Sequence, residues 1–193
     1  MLFDSPVYFV FLIIIVLTYW RLSHRSQNIF LLLASYFFYG WWDWRFLGLM
    51  IGSTTVDFLI AQKIVPGSLH PNRKRWLILS LVVNFSILAI FKYFNFFIDS
   101  FATALNTLGL HNIPLPLIRV LLPPGISFYT FQEVAYVVDV YKGRLQPAKS
   151  FVEYGLFISL FPHLIAGPIQ RPSICSLRFN RSVPSMAIAF LMV

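Results

Sequence analysis

Charge is what this sequence has least of. Only 11% of its 193 residues are charged, and the acidic ones number seven. A soluble domain of this size carries about 25% charged residues, so too few are present to cover a surface facing water. Cysteine is nearly absent too: Cys175 stands alone, which excludes an intrachain disulfide and speaks against a thiolate metal site. No metal-ligand spacing, glycine-rich phosphate loop or nucleophile elbow occurs. Internal repeats and low-complexity tracts are missing as well. What fills the chain instead is apolar: 58% hydrophobic residues, with 18% aromatic. The composition is that of an integral membrane protein whose first partner is the lipid bilayer.

The net charge of +8 does not indicate nucleic acid. The basic residues sit in short clusters between apolar runs, with no basic helix and no aromatic–basic module. A spanning helix needs about 20 mostly apolar residues, and the chain offers a series of such runs. They cover Pro6 to Trp20, Asn28 to Trp42, Phe46 to Gln62, Trp76 to about Phe97, Leu117 to Tyr141 (broken by LLPPGIS), and Phe151 to Phe161. The fourth run frays toward Leu108. Polar loops, KIVPGSLHPNRKR, LHNIPLP and KGRLQPAKS, separate them. The first run follows MLFDSP, with an acid, no basic n-region and no small-residue cleavage site, and reads as a retained span. The expected fold class is all-α: a polytopic transmembrane helix bundle of about six spanning or re-entrant segments.

Orientation follows from the loops. With the N-terminus outside, the inner loops hold Arg21, Arg25, Lys63, Arg73, Lys74, Arg75, Lys142, Arg144 and Lys149, against Arg45 and Arg119 outside. That bias places the basic loops in the cytoplasm. Lys92, about 24 Å along a helix from Trp76, is expected to snorkel to the outer interface. Such a protein would cross its membrane several times.

One run is two-faced. In PGISFYTFQEVAYVVDVYKG, Pro124 suits a first turn and Gly143 a C-terminal cap. At 100° per residue Tyr129, Gln132, Glu133, Tyr136, Asp139 and Gly143 share an arc of about 120°. Ile126, Thr130, Phe131, Val134, Val137, Val138 and Tyr141 lie opposite. Carboxyls facing lipid are costly, so the polar stripe is expected to face other helices or a cavity. It would line a substrate passage, or else serve as interhelical hydrogen bonds that hold the bundle. Asp139 could pair with Lys142. Asp57 lies near the inner boundary, where an interfacial structural role fits better than a catalytic one. His24, His70 and His111 fall in expected loops. His163, in FPHLIAGPIQRP, sits in an apolar setting, where a lone histidine is more often a packing residue than a ligand or base. The prolines and glycine there end a helix at membrane depth, which backbone tolerates only inside protein or beside a cavity.

Four stretches taken together go further. RSQNIFLLLASYFFYGWWDWRFL, FKYFNFFIDS, LLPPGISFYTFQEVAYVVDVYKG and LFPHLIAGPIQR resemble, in order and spacing, the N-terminal portion of the membrane-bound O-acyltransferase (MBOAT) family, in its alginate O-acetylation branch. The resemblance covers residues 1–172, so that region is expected to be the N-terminal portion of the MBOAT transmembrane domain. It implies an enzyme larger than this chain. Such enzymes take an acyl group from a cytoplasmic donor, acetyl-CoA or an acyl carrier, and pass it through a central funnel toward an exopolysaccharide such as alginate. Periplasmic polysaccharide-acetylation proteins would be partners. The family's catalytic histidine belongs to segments expected beyond Val193, so no catalytic residue is assigned here. His163 would line or brace the funnel with Tyr129, Gln132, Glu133, Tyr136 and Asp139. No metal and no bound cofactor are expected. Residues 173–193 form an atypical tail, for which truncation or frameshift is the expectation, leaving a chain inactive alone. The alternatives are a transporter or permease fragment with the stripe along a solute path, and a structural membrane subunit.

Overall fold

The computed structural model describes residues 6–66, 72–107 and 121–161. They are all helical, without a strand among the described residues. In chain order the helices are α1 (Pro6–Tyr19), α2 (His24–Gly40), α3 (Trp44–Lys63), α4 (Arg73–Leu88), α5 (Phe94–Thr107), α6 (Ile126–Tyr141) and α7 (Phe151–Ser159). A π-helical turn, Ala89–Tyr93, joins α4 to α5, and helix is continuous over Arg73–Leu105. The all-α expectation therefore holds. Two helices, Trp44–Lys63 and Arg73–Leu105, are long and apolar enough to cross a membrane. The other runs correspond to shorter helices: α1 is apolar over 14 described residues, about 21 Å.

Local chemistry sets the boundaries. Asp43 opens α3 by accepting a hydrogen bond from the Arg45 N–H at 2.8 Å, and Ser150 does the same for α7 with the Val152 N–H at 3.2 Å. These side chains satisfy N–H groups that a helix start leaves unpaired. At the end of α6 the Gly143 N–H reaches Val140 O and the Arg144 N–H reaches Asp139 O, both at 3.0 Å. Gly143 has φ +70°, so this is the Schellman ending that the sequence called for. Two expectations are corrected. His24 opens α2 rather than lying in a loop. Pro124 precedes the helix instead of occupying its first turn, because Gly125 (φ 72°) is the residue that turns the chain into α6.

Arg73, the first residue of α4, fixes the ends of two neighbours. Its Nε donates to Ile64 O (2.8 Å) and its Nη2 to Tyr141 O (3.0 Å), with the guanidinium 5.2 Å from the centre of the Tyr141 ring. The C-terminal ends of α3 and α6 thus meet the start of α4, which runs antiparallel to both. The loop before α7 joins this end: Ala148 O accepts from Gln62 Nε2, and its N–H donates to the Tyr136 hydroxyl, each at 2.8 Å. Lys63, Arg73, Lys74, Arg75, Lys142 and Arg144 are consequently gathered at one end of the bundle. At the other end the Tyr39 hydroxyl donates to Pro124 O at 3.1 Å.

The core is lined by Met50, Ala61, Ile64, Ile126, Tyr129, Val137, Val140, Tyr154, Leu156, Ile158 and Phe161. Tyr136 and Tyr154 pack with ring centres 4.4 Å apart. Much of the outer surface is apolar as well, with Phe9, Ile13, Ile14 and Leu17 exposed on α1, Leu79 and Val82 on α4, and Phe96, Phe97 and Phe101 on α5. A surface so extensively apolar is one that meets lipid or further protein. Lys92 falls in the π-helical turn, about 28 Å along the axis from Arg73, with its ammonium 5.6 Å from the Tyr93 ring centre.

Gly143→Ala tests the α6 ending. An L-residue with φ near +70° costs about 1–2 kcal/mol, and the added Cβ would stand 3.0 Å from Pro66 Cγ. Thermal unfolding of the purified protein should show a loss of stability of at least that size, and an unchanged melting temperature would count against this geometry.

Candidate functional site

Serine and threonine inside a helix can satisfy themselves on the carbonyl a turn back, as Thr55 does with Ile51 O at 2.6 Å. Ser53 and Thr54 reach further. Thr54 Oγ1 donates to Glu133 Oε1 at 2.8 Å, and Ser53 Oγ approaches the same oxygen at 3.1 Å while also lying 3.1 Å from Met50 O. One turn along α3, Asp57 takes Ser80 Oγ on Oδ1 and Asn84 Nδ2 on Oδ2, both at 2.6 Å. Asn84 is held in turn by Ser80 O at 3.1 Å. Glu133 and Asp57 are each 0% exposed and lie within electrostatic reach of one another. Two carboxyls on different helices are thus buried among neutral hydroxyl and amide donors from α3 and α4.

A buried carboxyl without such donors is strongly unfavourable, and these donors act across helix interfaces. Asp57 joins α3 to α4, and Glu133 joins α6 to α3. Around Glu133 stand three tyrosines. Tyr36 on α2, Tyr129 on α6 and Tyr154 on α7 all lie within electrostatic reach of its carboxyl. Gly155 leaves room for the Tyr36 hydroxyl, since a Cβ there would stand 3.2 Å from it. The result is a polar centre at the junction of α2, α3, α6 and α7, where a carboxyl and several hydroxyls can bind a hydrogen-bonding group.

Of the stripe residues expected from the sequence, Tyr129, Gln132, Glu133 and Tyr136 are buried. The structure brings Tyr129 and Glu133 to this junction, whereas the Tyr136 ring packs on Tyr154 and its hydroxyl accepts the Ala148 N–H toward the basic end. Asp139 is not brought there. It lies at the basic end, half-buried, 3.8 Å from Arg144 Nη1, so its partner is Arg144 rather than Lys142. The cause is the Schellman turn, which folds Arg144 back over the last turn of α6. Asp57, for which a structural role was expected, is buried against α4 by Ser80 and Asn84. The arc opposite the stripe is not uniformly outward either, because Ile126, Thr130 and Val137 are buried while Phe131 is exposed. His163, like His70, His111 and the tail 173–193, lies outside the described residues.

Sequence reasoning missed Ser53, Thr54, Ser80, Asn84, Tyr36 and Tyr154. A signal existed for some of them. Ser53 and Asp57 are four apart, as are Ser80 and Asn84, so each pair shares a helix face. Among the described residues no group of three or more histidine, cysteine, aspartate or glutamate side chains could hold a metal.

Comparison with known proteins adds relatives. The chain is 42% identical over 173 residues to the "Probable alginate O-acetylase AlgI" of Pseudomonas syringae pv. tomato, covering 89% of this chain and 33% of that protein. The protein of the same name from Azotobacter vinelandii is 39% identical, with 89% and 34% covered. The "Peptidoglycan O-acetyltransferase" of Helicobacter pylori is 36% identical over 203 aligned positions, with 90% and 37% covered. The chain spans about one third of the length of these relatives. No family model and no solved structure matches it. The resemblance to the alginate O-acetylation branch, read from four stretches of sequence, stands.

Asp57→Ala would leave Ser80 Oγ without its Asp57 acceptor and Asn84 Nδ2 with only Ser80 O, at a cost of about 1–3 kcal/mol for each buried donor left unpaired. Unfolding should show that loss, and a triple variant with Ser80→Ala and Asn84→Leu added should regain much of it. No recovery would mean that Asp57 stabilises the fold by some other route.

Proposed function

We propose that this homologue of the alginate O-acetylases forms part of a membrane-bound O-acyltransferase that moves an acetyl group toward a polysaccharide hydroxyl. The observation that carries the reading is the identity of 36–42% across about nine-tenths of the chain to proteins named for O-acetyl transfer. In this reading the protein resides in a bacterial inner membrane and crosses it with about six spanning or re-entrant segments. Its N-terminus is outside and its basic loops are cytoplasmic. The gathering of Lys63, Arg73, Lys74, Arg75, Lys142 and Arg144 at one end supports a single cytoplasmic face. It would also offer positive charge to a phosphate-bearing acyl donor such as acetyl-CoA or an acyl carrier.

The polar centre is the natural wall of the acyl passage. Tyr129, Gln132, Glu133 and Tyr136 supply hydrogen-bonding groups within an apolar bundle, and Asp139 lies toward the basic entrance. His163, in the stretch LFPHLIAGPIQR that carries the resemblance, is proposed to line or brace the same passage. None of these residues is assigned the acyl-transferring step itself. That role falls to a histidine in the part of the enzyme this chain does not span. Periplasmic polysaccharide-acetylation proteins would receive the group.

Co-expression of this chain with the remaining two thirds of an alginate O-acetylase, in a strain lacking its own, should restore polysaccharide O-acetylation. Solute uptake without acylation would instead identify a transport component. In the restored system, Glu133→Gln and Tyr136→Phe should each lower acetylation about tenfold, the effect of losing roughly 1.4 kcal/mol of transition-state positioning. Val134→Ala should change it little, with membrane insertion verified for all three. Equal activity across the set would reduce the stripe to packing.

Orientation is tested separately. With Cys175 replaced by serine, a single cysteine at Lys74 should resist a membrane-impermeant maleimide in intact cells and react once the membrane is opened. Labelling in intact cells would reverse the topology.

A further inference from the structure

Glu133 shows two unlike oxygens. Oε1 receives Thr54 and Ser53, at 2.8 and 3.1 Å, whereas Oε2 is buried without a hydrogen-bond partner among the described residues. The hydroxyls of Tyr36, Tyr129 and Tyr154 are in the same condition, buried and unpartnered among those residues. Tyr129 stands one turn before Glu133 on α6. The Tyr36 hydroxyl lies against Gly155, next to Tyr154, where a Cβ would stand 3.2 Å from it. The Tyr154 ring packs on Tyr136, three residues past Glu133, with 4.4 Å between centres. None of the three hydroxyls is within hydrogen-bonding distance of Oε2. They come from α2, α6 and α7, so the grouping is a product of tertiary structure.

Buried polar atoms in folded proteins are overwhelmingly satisfied by protein or by ordered water, and Oε2 with three hydroxyls near it, all open among the described residues, points to a ligand. Its chemistry is restricted. The phenols present O–H donors that need an acceptor, and Oε2 presents an acceptor that needs a donor. A ligand must therefore do both, over gaps wider than one hydrogen bond. Water fits: it accepts from a phenol and donates to Oε2 at about 2.8 Å on each side, and buried waters typically make about three such bonds.

We propose that Glu133 Oε2 and the hydroxyls of Tyr36, Tyr129 and Tyr154 form an internal binding site for a small cluster of water molecules at the junction of α2, α6 and α7. The site joins three helices that share no direct side-chain hydrogen bond there. It stands independently of the acyl-transfer reading, since it needs only the fold.

Radiolytic hydroxyl-radical labelling of the whole 193-residue chain in lipid nanodiscs, in 18O-water, tests this directly. Radicals made from bound water oxidise the rings beside it, so Tyr129 and Tyr154 should label several-fold faster than Tyr39. Tyr39 is equally buried, but its hydroxyl is bonded to Pro124 O. Glu133→Leu should bring Tyr129 and Tyr154 down to the Tyr39 rate. Equal rates in the parent protein, or an excess that survives Glu133→Leu, would overturn the site. Melting curves keep the proposal testable should Glu133→Leu fail to fold. Tyr129→Phe and Tyr154→Phe should each lower the melting temperature by a few degrees if their hydroxyls are bonded to water. An unchanged or raised melting temperature would show dry hydroxyls and overturn it.

Discussion

Glu133 and Asp57 are buried away from bulk water, and the arrangement of the helices answers that constraint. A carboxyl deep in an apolar environment must find donors, or its burial outweighs what the surrounding packing contributes. Asp57 finds Ser80 and Asn84 on α4. Glu133 finds Ser53 and Thr54 on α3. Because each donor set has its own place along a helix, satisfying both carboxyls fixes the register of α3 against α4 and of α6 against α3. Apolar contacts alone would let such helices slide with little penalty, since one leucine or isoleucine face resembles the next.

The ends of the bundle are fixed by a different device. Arg73 spends its guanidinium on the last carbonyls of α3 and α6, groups that a helix leaves unpaired. A cation at two helix C-termini also meets the negative ends of their dipoles. Tyr136 and Gln62 together hold both polar atoms of the Ala148 peptide region, drawing the loop before α7 to the same end. The basic side chains therefore cluster for structural reasons as well as for whatever topology they impose.

Relatives three times as long bear on the exposed apolar surface. Phe96, Phe97 and Phe101 on α5 stand clear of the bundle, as does one side of α1. Faces so apolar fit lipid or further protein. The polar centre, by contrast, draws among the described residues on α2, α3, α4, α6 and α7.

Much of this was legible in the residues. Length and hydropathy gave α1, α3 and α7 nearly to their ends, because runs of apolar residues punctuated by Pro, Gly and basic clusters leave few other structures. The run opened at Leu117 yields its helix only from Ile126, after the LLPPGIS break, and the fourth run continues helical through Thr107. Gly143 announced its own left-handed turn. The spacing of Tyr129, Glu133 and Tyr136 marked one inward face of α6, since three or four residues return a side chain to the same side of a helix. What periodicity could not supply was the partner across the gap. Ser53, Thr54, Ser80 and Asn84 look like unremarked polar residues in apolar helices, and Tyr36 and Tyr154 like ordinary aromatics. Asp139 looked equal to Glu133, though one ends beside Arg144 and the other in the centre. The sequence by itself determined which segments are helices and which of their sides is polar, for those follow from local bonding and a fixed 100° step. Only the tertiary structure decided which polar side meets which, because a hydrogen bond between residues some eighty positions apart depends on how the helices are set against one another.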